Sequence, residues 1–156
     1  MNPTFGATVL GARSFLIAWN INLAPEVPVE VAKDLAAKLR GSGRNGKPGL
    51  FPGLKAIGWH IPEFGRCQIS CNWWMRRVLI WLRFTSLLSA WRPPLGAKMT
   101  GSELIGLIPE QYLRRAGKAF CFGGGREEEL EAAVSVLGLG DLEVFSWRVR
   151  VLEEVV

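Results

Sequence analysis

One histidine, three cysteines and no long apolar run leave this 156-residue chain poor in the residues that most often announce chemistry. His60, the only histidine, sits near the end of an extended segment, where a structural or surface role outweighs general-base catalysis. Cys67, Cys71 and Cys121 make an odd count without zinc-type spacing, so no metal site is expected. On one strand Cys67 and Cys71 would stand roughly 13 Å apart, too far for a disulfide. The opening residues lack a basic lead into an apolar run, so no signal peptide is expected, and a reducing, cytoplasmic location fits. Residues 78–91 are apolar but fall short of the roughly 20 needed to span a bilayer, and Arg83 interrupts them. Gly123, Gly124 and Gly125 are followed by Arg126 and three glutamates rather than Lys-Ser or Lys-Thr, which excludes a phosphate loop.

What the chain does have is ordinary globular composition, 49% apolar and 21% charged, enough for one domain with its own core. Its organising stretch is residues 11–23, GARSFLIAWNINL, which reads as a central strand. Phe15, Ile17, Trp19, Ile21 and Leu23 share one face, while Ser14, Leu16, Ala18, Asn20 and Asn22 share the other. One face seeks a core and the other ends in amides.

A helix follows over 29–40, with Val31, Leu35 and Leu39 at four-residue spacing and Pro28 at its start. A loop of Gly, Pro and basic residues leads to a second strand over 54–61, with Ile57, Trp59 and Ile61 on one face. In and beside that loop, Arg40, Arg44, Lys47 and Lys55 could meet an anionic substrate, although such loops are usually just solvated. A third strand over 66–72 sets Cys67, Ile69 and Cys71 against Gln68, Ser70 and Asn72. A fourth is expected over 98–108, and two helices over 109–121 and 126–137 close the chain. With a helix between the third and fourth strands, the order is βαββαβ. That order implies an α+β, ferredoxin-like two-layer sandwich with extra C-terminal helices, whose first and third strands lie side by side. Asn20, Asn22, Gln68, Ser70 and Asn72 then cluster on a face without helices, which must meet water, another domain or a ligand.

Three segments, GATVLGARSFLIAWNINL at 6–23, FPGLKAIGWHIPEFGRCQISCN at 51–72 and TGSELIGLIPEQYL at 100–113, resemble the C-terminal subdomain of the glutamate formimidoyltransferase family. The resemblance runs across nearly the whole chain, to Arg150-Val151-Leu152-Glu153. It implies transfer of the formimidoyl group of N-formimidoyl-L-glutamate to tetrahydrofolate in histidine degradation, by two related subdomains that enclose a folate tunnel. The catalytic histidine it implies belongs to the N-terminal subdomain, so this chain is expected to be a fragment, starting partway through a binding element and inactive alone. Folate contacts implied by the resemblance fall on Asn2, Pro3, Thr4, Phe5, Gly6 and Lys38, with Asn20, Asn22 and Gln68 as tunnel-facing candidates. Gly6 would let backbone approach a flat ring, Phe5 offers a stacking face, and Lys38 can pair with a folate carboxylate. The implied partners are folate and formimidoyl-glutamate, with the catalytic subdomain as a further partner if it is encoded separately and a homodimer as one option that the sequence leaves open; nucleic acid and membrane are not expected.

One stretch departs from the resemblance. Residues 73–95 keep the expected length but hold four Trp and four Arg where the family has an amphipathic helix opening on Leu-x-Asp. Correct length with wrong residues points to two compensating single-base changes, near codons 73 and 95. If a base was lost at codon 73, each original codon is the last base of one present codon plus the first two of the next. Trp73 then becomes Leu, Met or Val, Trp74 becomes Val and Met75 becomes Asp. Position 81 becomes Leu or Met, 82 Ala or Val, 84 an aliphatic residue or Phe, and 85 Tyr or His. Positions 81, 84, 85 and 88 take helical spacing, with Asp at 75 as a cap. The restored frame deletes Arg76, Arg77 and Arg83, so the net charge of +5 and pI near 9.5 say nothing about nucleic acid. Taken literally, the stretch leaves two other readings, a decayed and inactive gene product or a basic Trp/Arg-rich helix at a membrane surface.

Overall fold

The computed structural model describes residues 3–4, 6–12, 15–74, 78–89, 97–121 and 123–156. Four antiparallel strands form one sheet: β1 (Leu16–Leu23), β2 (Leu54–Ile61), β3 (Arg66–Trp74) and β4 (Met99–Ile105), in the order β2-β3-β1-β4. Helices α1 (Val29–Leu39) and α2 (Val78–Ser89) complete the βαββαβ order, and α3 (Glu110–Lys118), α4 (Arg126–Leu137) and a short α5 (Leu152–Val155) follow. This is the ferredoxin-like sandwich, with β1 and β3 paired at its centre.

The expected strand over 11–23 is too long. The strand begins at Leu16, and Phe15 stands 72% exposed outside it. Ser14 lies outside the described residues. The fourth strand stops at Ile105 rather than residue 108, because Gly106 takes a left-handed φ of 76° that turns the chain out of the ladder. The helix expected over 109–121 is shorter, α3 ending at Lys118, so Phe120 follows its end and is exposed.

Alternation divides each strand between a helix-covered face and an open one. Ile17, Trp19, Ile21 and Leu23 of β1 join Cys67, Ile69, Cys71 and Trp73 of β3 on the covered face, all buried. On β2 that face belongs to Leu54, Ala56 and Gly58, so the larger set of Ile57, Trp59 and Ile61 falls on the open face. Gly58 explains the inversion: a Cβ there would stand 2.2 Å from the Ala32 carbonyl carbon, so α1 presses its backbone onto β2 where there is no side chain.

Across the covered face, α1 brings Ala32, Leu35, Ala36 and Leu39, and α2 brings Trp81, Phe84, Thr85 and Leu88 at i, i+3, i+4 and i+7. An aromatic cluster fills the middle. Trp81 meets Trp19 edge-on at 5.4 Å and Tyr112 at 6.1 Å, and Phe84 lies 4.8 Å from Trp73. The Trp81 indole N–H donates to the Tyr112 carbonyl at 2.9 Å, whereas those of Trp19 and Trp73 are buried without a partner. Beside this core, α3 and α4 pack Leu113, Leu130 and Leu137, and the last residues return along β4. There the Ser102 N–H donates to the Gly138 carbonyl at 2.9 Å, and Ile108 bridges to Val151, which covers the edge strand.

Candidate functional site

The open face carries a polar network at its centre. Strand β1 places Asn20 opposite Ser70 of β3 and Glu103 of β4, and Asn22 opposite Gln68 and Gly101, so these side chains rise together on one side of the sheet. Gln68 Nε2 donates to Asn22 Oδ1 at 2.7 Å and to Glu103 Oε2 at 3.3 Å, and Asn20 Nδ2 donates to the same Glu103 oxygen at 3.0 Å. Asn22 Nδ2 in turn donates to Asp141 Oδ2 at 3.0 Å. The three amides singled out in the sequence are therefore one hydrogen-bonded unit, with Asn22 and Gln68 fully buried.

Asp141 reaches this face from the segment after α4, and Gly101 makes room for it. A Cβ at position 101 would stand 2.3 Å from the Asp141 Cβ, so only glycine lets the acid lie over the end of β4. Asp141 Oδ2 also accepts from Thr100 Oγ1 at 2.7 Å and pairs with Arg66 at 3.4 Å. Beside the network runs an open groove of about 450 Å³, lined by Asn20, Gln68, Glu103, Trp59, Phe64 and Ile105 among others. Trp59 and Ile105 are nearly half exposed along it, an apolar border around a polar centre.

Other candidates lie elsewhere. Lys38 is exposed on the outer side of α1, across the sheet from Asn20, in a shallow groove of about 300 Å³ with Lys47 and Arg44. Arg44 pairs with Asp34, Arg40 Nε donates to the Gly43 carbonyl at 3.0 Å, and the Lys55 ammonium sits 5.1 Å above the Trp74 ring. Pro3, Thr4 and Gly6 are exposed, Gly6 with φ 68°, whereas Asn2 and Phe5 lie outside the described residues. His60 is exposed at the end of β2. Burial pushes the Cys71 thiol up, and burial followed by the Glu30 carboxylate does the same for Cys67, so neither offers a thiolate. Among the described residues no three His, Cys, Asp or Glu side chains could hold a metal ion, and no helix is long and apolar enough to cross a membrane.

Glu103, Asp141 and Arg66 were missed by sequence reasoning. The signal for Glu103 was present: it alternates with Gly101 and Ile105, and antiparallel pairing of β4 with β1 brings it opposite Asn20. Asp141 carried no such signal, since it lies in irregular chain brought over the sheet by tertiary packing.

Comparison with known proteins matches residues 18–156 to the formiminotransferase domain. The chain is 34% identical over 166 aligned residues to the formimidoyltransferase-cyclodeaminase of Rattus norvegicus, covering 99% of this chain and 29% of that protein. It is 31% identical over 123 residues to the glutamate formimidoyltransferase of Thermoplasma acidophilum, covering 79% of this chain and 39% of the relative. The corresponding protein of Streptococcus pyogenes serotype M1 gives 32% over 114 residues, or 72% and 36%. The chain thus spans about three tenths of the length of the formimidoyltransferase-cyclodeaminase it matches. With the domain match covering all but its first 17 residues, this chain belongs to the formiminotransferase domain family.

Proposed function

We propose that this chain supplies one wall of the folate site of a glutamate formimidoyltransferase, which passes the formimidoyl group of N-formimidoyl-L-glutamate to tetrahydrofolate in histidine degradation. The observation that carries this reading is the helix-free sheet face. In a member of this family it combines a buried amide network, a partly exposed carboxylate and a groove of about 450 Å³ bordered by aromatic rings. Flat heterocycles with polar edges are bound by such surfaces, which fix orientation with a few polar groups and gain affinity from apolar walls. Pro3, Thr4 and Gly6, with Asn2 and Phe5, are proposed folate contacts; Lys38, proposed toward a carboxylate of the ligand, stands across the sheet from the open face and can meet only a tail that extends beyond the sheet edge. The reaction's base is assigned to a partner subdomain, and the setting to the cytoplasm.

Calorimetric titration with 5-formyltetrahydrofolate should show saturable binding to the 156-residue chain, while a formimidoyl-transfer assay stays at the no-protein level. Turnover by the purified chain contradicts the division of labour; absence of folate binding contradicts the site.

We further propose that residues 73–95 were read out of frame. The unpartnered indole N–H of Trp73 supports this, because the restored residue, Leu, Met or Val, has no donor to leave unpaired at that position. Resequencing the segment tests it: two compensating single-base differences are expected, and an unambiguous in-frame reading of all 23 codons overturns the proposal.

A further inference from the structure

Two carboxylates stand on the open face, and only one has its charge answered. Asp141 is paired with Arg66 and also accepts from Thr100 and Asn22. Glu103 belongs to no ion pair among the described residues. Its Oε2 accepts from Asn20 and Gln68, which hold the carboxylate in place from two sides, and its Oε1 accepts nothing from the described residues. A carboxylate has about four acceptor positions, so roughly half of this one's capacity is open.

A second, independent observation points the same way. Gln68 is fully buried and lines the groove, and its Oε1 has no hydrogen-bond partner. Turning the amide over does not mend this, because Nε2 is needed by two acceptors, Asn22 Oδ1 and Glu103 Oε2. A buried amide oxygen without a donor is costly, and on this face, unlike in the covered core, a donor brought by a bound group can relieve it. The two unmet groups, Glu103 Oε1 and the Gln68 Oε1 buried just beneath the groove, are thus both acceptors, one of them charged. With Glu63 also on its wall, the groove is built for N–H donors and against anions. Trp59 and Phe64 on the same wall favour a flat ligand.

We propose that Glu103, positioned by Asn20 and Gln68, recognises the donor edge of a planar N–C–N group, that is, of an amidine or of the amidine-like edge of a pterin. A carboxylate matches such an edge with two nearly parallel hydrogen bonds, as it matches a guanidinium. This rests on the folate reading and refines it: the ring or the formimidoyl group lies over Glu103, and any anionic tail is directed away from it. Both substrates of the proposed reaction carry this chemistry, and the experiment separates them.

The full chain and its Glu103→Gln variant are titrated calorimetrically with four probes: 6-methyltetrahydropterin, 5-formyltetrahydrofolate, N-formimidoyl-L-glutamate and L-glutamate. The substitution keeps the side chain's shape and removes its charge, and should weaken the recognised probe roughly 10- to 100-fold, the range of a charge-assisted hydrogen bond. Loss for both pterin probes identifies the ring edge. Loss for formimidoyl-glutamate, with L-glutamate bound weakly by both proteins, identifies the formimidoyl group. If every probe that binds the wild-type chain binds the variant equally well, the role of Glu103 is wrong, and the folate reading stands where 5-formyltetrahydrofolate is among those probes. If no probe binds the wild-type chain, both fall. Glu103→Asp covers the case in which the glutamine variant does not fold. It keeps the charge but withdraws the oxygens by one methylene, and wild-type affinity in it contradicts the proposal.

Discussion

The two faces of one sheet each bury side chains at their centre and hold them by different forces. Trp19, on the covered face, and Gln68, on the open face, are both fully excluded from water. Trp19 is surrounded by rings whose contribution is area removed from water, and its neighbourhood fixes the fold. Gln68 is surrounded by amides and carboxylates, whose net contribution to folding is small and whose unmet bonds are expensive. A polar centre of that kind adds little stability that Leu or Ile would not add more simply. Its placement on the face without helices is the ground for proposing that face as the folate surface.

The sharpest way to break the comparison is at Trp81. Its ring contacts Trp19, Trp73, Phe84 and Tyr112, so Trp81→Ala should cost about 3–5 kcal/mol, read as a fall in the chemical-denaturation midpoint. A midpoint unchanged by the substitution contradicts the aromatic core. On the open face, Gly101→Ala drives a methyl into Asp141 and should cost about 1–3 kcal/mol by displacing the segment that covers Asn22. Faster hydrogen exchange at the Ser102 amide, which donates to Gly138, would accompany it.

The smallest effect is expected outside both faces. Glu110 accepts from Arg126 at 2.6 Å and from Arg114 at 3.2 Å, and these partners, Arg126 foremost, hold its carboxyl below the usual carboxylate range. Because the folded state depresses this value, the contribution is present above the ordinary Glu value of about 4.3 and is lost as pH falls through the lower folded value. Arg126 is partly exposed, so Glu110→Gln should cost only about 1 kcal/mol at neutral pH. In a denaturation series from pH 7 to pH 3, the difference between variant and wild type should shrink toward the acid end.

Much of this was legible in the chain. Alternation in β1 and β3 separates apolar from amide positions, and the βαββαβ order puts those strands together, so Asn20, Asn22 and Gln68 could be gathered before any coordinates. Alternation does not say which face a strand turns to its helices. On β2 the bulky set of Ile57, Trp59 and Ile61 looks inward by size, but the close approach of Ala32 to Gly58 requires the small set there. Glu103 needed the register of β4 against β1, which sets which positions stand opposite one another. Asp141 depended on where the chain travels after α4, and no local periodicity encodes that path. The stretch 73–95 reads differently again. Its positions 81, 84, 85 and 88 keep a helical stripe and are buried in α2, so spacing survived where residue identity departed from the family.

The central claim is that the open face is the folate surface, and two-dimensional NMR of the uniformly labelled chain tests it most directly. Titration with 5-formyltetrahydrofolate should shift the side-chain amide signals of Asn20 and Gln68 and the backbone amides of Trp59, Ser70 and Ile105. The signals of Leu130 and Ala133, in the α4 core, should stay in place. Shifts confined to the helix layer, with the Asn20 and Gln68 amides unmoved at saturation, would contradict the account.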